Sequence, residues 1–222
     1  MSDQTKIHLS KLEKELIQNT EWILAKRSVV EKVYQLFGAL LEDYKKIIHD
    51  ESFKGFSFLK NTNGKISRGE NYLGLPHIMM DYPAVFEKGN TFAIRTFFWW
   101  GNFFSITLHV SGKYLQHKID IGKSFSFLKE KDFYVCINND EWNHTFSNDN
   151  FIPAAAMNET QIAAMHQRNF LKISKKAGVE KWNHVADFLQ QSFLEIISFV
   201  KISSRYDTAN PLPGFPTSGF DL

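Results

Sequence analysis

Residues 91–112 read TFAIRTFFWWGNFFSITLHVSG, and few folds accommodate so dense a run of aromatic and β-branched side chains interrupted once by Gly-Asn. Such runs favour strands, and a two-residue Gly101-Asn102 connection between them is a hairpin signal. With that turn, Trp100 pairs with Phe103, Trp99 with Phe104, Phe97 with Ile106, Arg95 with Leu108 and Ala93 with Val110. Strand side chains alternate between faces, so Trp99, Phe97, Ala93 and their partners make a core face on which Arg95 is the single polar member. The opposite face then carries Trp100 with Phe103, Phe98 with Ser105, Thr96 with Thr107 and Ile94 with His109. A three-residue loop would exchange the partners while leaving the alternation within each strand intact.

The mixed face is where function is expected. Small-molecule sites combine apolar and aromatic walls with a few placed polar groups, and Thr96, Phe98, Trp100, Phe103, Thr107 and His109 have that composition. Arg95 has two readings, a contact to a ligand carboxylate or phosphate and an ion pair within the protein. The whole face also has a purely structural reading: a sheet between two helical layers needs apolar residues on both sides, and Thr and Ser pair across strands without any ligand.

Around the hairpin, period-two segments bounded by turn residues at Asn63-Gly64, Gly112 and Gly122 suggest further strands over 55–60, 72–80, 113–121 and 133–138. Pro83 is expected to end the second of these. The result is an antiparallel meander of about five to six strands. Upstream, Ser10 and Glu13 form a capping box. Leu9, Leu12, Leu16, Ile23, Val30, Val33, Phe37, Leu40, Tyr44 and Ile47 then recur at helical spacing. Asn19 and Thr20 favour a break there, giving two helices. The stripe suits either a helix lying across a sheet or a homodimer seam.

Downstream, the Asn- and Asp-rich residues 138–150 favour turns. Asn158 with Gln161 caps a third helix running through Met165 and Leu171 to a stop at Gly178. Arg168, Lys172, Lys175 and Lys176 would then complement the dipole at its end. A last helix over 180–203 buries Trp182, Val185, Leu189, Phe193, Ile196, Ile197 and Val200. The fold class is α+β, a sheet packed by N-terminal and two C-terminal helices. One domain over 1–205 is expected, followed by a Pro/Gly-rich tail over 206–222.

The segments YLGLPHIMMDYP (72–83) and FAIRTFFWWGNFFSITLHVSG (92–112) resemble stretches of uncharacterised bacterial proteins. The resemblance implies a folded unit and carries over no activity, ligand or functional residue.

Several chemistries find no support. With 26 basic and 24 acidic residues the net charge is +2, which favours neither nucleic acid nor an anionic membrane. Cys136 is the only cysteine, so neither a disulfide within the chain nor a thiolate metal cluster can be built, and a reducing, cytoplasmic location is expected. No run of apolar residues is long enough to span a bilayer. His109, His117, Asp120 and His144 match no metal-ligand spacing, and His77 and Asp81, four residues apart in a strand, would stand about 13 Å apart. Nucleotide and nucleophile motifs are missing, and no cofactor is expected. Three functions remain: binding of a small, partly apolar ligand, acid–base catalysis by His109, and homodimeric interaction through the N-terminal stripe.

Overall fold

A computed structural model of the chain describes residues 7–49 and 54–204; the expected tail over 206–222 lies outside them. The chain begins with α1 (Lys11–Gln18) and α2 (Thr20–His49), followed by a 3-10 helix (Lys54–Asn61). The break between α1 and α2 is where the cap residues place it, with Asn19 Oδ1 accepting the Trp22 amide at 2.9 Å. The Ser10–Glu13 capping box also forms. Four strands then meander: β1 (Lys65–Tyr72), β2 (Leu75–Glu87), β3 (Asn90–Trp99) and β4 (Phe103–Ser111). After them come α3 (Lys113–Lys118), α4 (Ile121–Glu130), β5 (Tyr134–Cys136), β6 (Phe151–Pro153), α5 (Glu159–Met165), β7 (Phe170–Gly178) and α6 (Val185–Ile202). The fold is α+β. Its antiparallel sheet has seven strands, in the order β1-β2-β3-β4-β7-β5-β6, rather than five or six.

The hairpin forms with a different register. Trp99 pairs with Phe103, so the loop has three residues, and Arg95 lies opposite Thr107 and Thr96 opposite Ile106. Gly101 supplies the left-handed conformation at φ 69° that a three-residue hairpin loop commonly requires. A shift of one residue moves every partner to the other face. Ala93, Arg95, Phe97 and Trp99 therefore share a face with Phe103, Ser105, Thr107 and His109, not with Phe104, Ile106, Leu108 and Val110.

The latter four belong with Phe92, Ile94, Thr96 and Phe98, on the face covered by helices. There Val33, Phe37, Leu40, Tyr44 and Ile48 of α2 meet the sheet together with Leu189, Phe193 and Ile196 of α6. The Phe37 ring sits edge-on to Phe104 at 6.5 Å, and Tyr44 stacks on Phe193 at 3.7 Å while its hydroxyl donates to the Leu189 carbonyl at 3.1 Å. The helical stripe thus divides. Its second half is spent on this sheet, whereas Leu9, Leu12 and Ile23 stay 42%, 63% and 46% exposed.

Other departures have local causes. Residues 54–61 turn as a 3-10 helix because the Phe56–Leu59 run is too short for alternation to specify a strand. β1 was concealed by its polarity, and it joins β2 through Leu73 and Gly74, both at positive φ, as a type I′ connection requires. Pro83 does not end β2. The register slips by one residue between Asp81 and Ala84, and the bulge accommodates a residue with no N–H to donate. Residues 113–118 are helical because Gly112, at φ 57°, reverses the chain after β4. α4 shows Ile121, Phe125 and Leu128 buried at helical spacing. Residues 170–178 are strand β7, so Lys172, Lys175 and Lys176 end no helix. Lys175 pairs with Glu195 at 2.7 Å on the helical side, and Lys172 faces the other way.

Candidate functional site

The face opposite the helices carries a polar row that crosses the sheet. Asp81, Arg95, Thr107, Ser174 and Tyr134 stand side by side on β2, β3, β4, β7 and β5. Arg95 donates from Nε to Asp81 Oδ1 at 2.7 Å and from Nη2 to Oδ2 at 2.9 Å, the fork geometry that makes such pairs strong. Of the two sequence readings for Arg95, the internal ion pair is realised. Ser174 donates its only proton to the Ile106 carbonyl at 2.9 Å, so in the 2.7 Å contact between Thr107 and Ser174 the Thr107 hydroxyl is the donor.

Residues 137–150 strap across this row. Asn138, Asp140 and Asn143 each accept a backbone amide two residues on, at 2.8–2.9 Å, the turn chemistry expected of these side chains. The strap is pinned to the sheet by its side chains. His144 accepts Arg95 Nη1 at Nε2, 2.9 Å, and its backbone N–H donates to the Tyr72 hydroxyl at 2.7 Å. Glu141 reaches His109 Nε2 at 2.9 Å, Trp142 lies edge-on to the His109 ring, and Phe146 packs on Phe103. Lys172 donates to the Asn143 carbonyl at 2.6 Å.

The electrostatics follow from this burial. Because a guanidinium can only donate, His144 must present a lone pair at Nε2 and is neutral. Burial, then Lys172 and Arg95, hold its pKa well below 6.5. His109 is pushed down to about 3, first by burial and then by Lys172 and Arg95. Glu141 opposes that shift, but its side chain is 35% exposed and water weakens its field. The neutral His109 therefore donates its Nε2 proton to the carboxylate. Burial also lowers Lys172, to about 8.

These shifts give stability a pH dependence. An unfolded histidine binds a proton below about 6.5, whereas folded His109 does so only near 3, so stability is full above the unfolded value and is lost as pH falls between the two. In urea unfolding the free energy should drop from pH 6.5 to 5 by up to about 1.4 kcal/mol per pH unit for each such histidine. His109→Gln should reduce the slope by its own share, leaving that of His144; a flat wild-type profile would contradict the assignment.

The seven residues proposed from sequence do not form one wall. Thr96 and Phe98 are buried beneath the helices, and Trp100 packs on that same core. Arg95, Phe103, Thr107 and His109 lie beneath the strap, and Thr107 and His109 are each 5% exposed. His77 contacts the Tyr72 and Phe97 rings. Among the described residues no group of three or more His, Cys, Asp or Glu is placed to hold a metal, and no helix is long and apolar enough to cross a membrane.

A groove of about 790 Å³ opens where the strap meets the end of the sheet. Its lining includes four residues with carboxamide side chains, Gln116, Asn139, Gln167 and Asn169, and the aromatic residues Trp142 and Phe170. Glu87, Glu141 and Arg168 are its charged groups. Gly112 forms part of the wall, and a Cβ there would stand 2.2 Å from the Gly89 carbonyl. Glu141 and Trp142 connect this groove to the buried network, since both touch His109. Sequence reasoning named His109 but missed the groove, whose lining comes from four separate stretches of chain.

The fold and site define an α+β protein with a seven-stranded antiparallel sheet, helices on one face and a polar strap on the other. Comparison with models of protein families, with curated proteins and with solved structures found no match to the chain.

Proposed function

We propose that the protein binds a small, neutral, hydroxyl-bearing ligand with one apolar face, in the groove between the strap and the end of the sheet. The observation that carries this reading is the groove's lining: four residues with carboxamide side chains and two aromatic residues line it, and Trp142 is 47% exposed. Carboxamides both donate and accept, as hydroxyl groups do, and a half-exposed indole offers an apolar platform at low entropic cost. Glu87 is paired with Lys113 at 2.5 Å, so Glu141 and Arg168 leave the groove without a net charge to select an ion. Acid–base catalysis by His109 has less support, because a base with a pKa near 3 holds little driving force for proton abstraction at neutral pH.

Tryptophan fluorescence titrated with a panel of monosaccharides, disaccharides and polyols tests the proposal. At least one class should give a saturable change, and Trp142→Ala should weaken its binding tenfold or more, about 1.4 kcal/mol. A panel without a saturable response, or binding indifferent to Trp142→Ala, would overturn it.

A further inference from the structure

Lys172 is 1% exposed, and among the described residues no carboxylate lies within 4.0 Å of its ammonium. Its partners are the Asn143 carbonyl at 2.6 Å and the face of Phe151, 5.3 Å away. An ammonium has three N–H donors and a guanidinium five; Lys172 directs one to that carbonyl, and Arg95 directs three to Asp81 and His144. Of the carboxylates nearby, Asp81 is engaged by Arg95, Glu141 by His109, and Asp140, which acts on Lys172 without touching it, by the Trp142 amide.

Both cations line a small cavity of about 10 Å³, together with Thr107, His109, His144, Phe86 and Ala93. That volume admits one roughly water-sized sphere and is too small for a tetrahedral oxyanion. We propose that this cavity is a site for a single small monovalent anion of the halide class, held between the Lys172 ammonium and the Arg95 guanidinium. The site is separate from the groove. Because Lys172 and Arg95 also hold Asn143 and His144, the anion stabilises the strap against the sheet.

Bromide decides the matter directly. Crystals grown in sodium bromide should show an anomalous peak within hydrogen-bond reach of Lys172 Nζ and Arg95. At constant ionic strength, replacing sodium gluconate with sodium chloride or bromide should raise Tm saturably, on the order of 2–4 °C, and Lys172→Met should abolish the rise. A water in the cavity, a bromide peak only elsewhere, or a wild-type Tm indifferent to the anion would each overturn the proposal. The wild-type measurements suffice should Lys172→Met fail to fold.

Discussion

Asp81→Ala should destabilise the protein by about 3–5 kcal/mol, because it leaves a largely buried guanidinium without its carboxylate. The Arg95 and Asp81 side chains are 14% and 12% exposed, so water cannot replace the lost partner as it would at a surface pair, where the loss is about 1 kcal/mol or less. Arg95 would also be left facing the same cavity as Lys172, adding repulsion between cations. Asp81→Ala combined with Arg95→Met should recover much of the loss, since an apolar replacement of a whole buried pair is often neutral. Urea unfolding of the two single variants and the double variant measures this coupling. A loss for Asp81→Ala within the surface range would mean that the row beneath the strap is hydrated.

Phe104→Ala should cost about 3–5 kcal/mol by removing a fully buried ring and leaving a cavity. Phe104 is 0% exposed and joins three parts of the core: it is edge-on to Phe37 of α2, stacked on Phe98 at 4.7 Å, and 5.6 Å from Trp182 ahead of α6. On the hairpin register expected from sequence it would instead have shared a face with Arg95. Equilibrium unfolding checks the magnitude; a cost below about 1.5 kcal/mol would place Phe104 outside the helix-covered core.

How far the sequence reached is visible at these residues. Alternation along 91–99 and 103–111 separated Thr96 and Phe98 from Arg95 and Phe97 correctly, because a strand's side-chain period is fixed by its backbone. Which β4 residues joined which β3 residues depended on one loop residue. Taking Trp100 as paired rather than as loop placed Arg95 away from Thr107 and His109. The α1–α2 break at Asn19 and the Asn158 cap were readable because caps act locally. β1 was not, since KISRGENY lies at a sheet edge and lacks an apolar alternation. β7 reads as the continuation of the helix capped by Asn158 because Gly178 offers a natural stop, with its lysines then falling in a last turn, whereas Lys172 lies beneath the strap. The strap's turns were legible in its Asn and Asp residues, but its contacts with His109, Arg95 and Lys172 span 29 to 49 residues of sequence, and no local pattern encodes them.

The most direct test of the ligand-binding groove is a backbone amide shift map recorded while the same sugar and polyol panel is added. Saturable shifts should concentrate at Ser111, Gly112, Glu141, Trp142 and Asn169, with α1 and the first turns of α2 unaffected. Shifts centred on those N-terminal helices, or none at the groove at saturating concentrations, would contradict it.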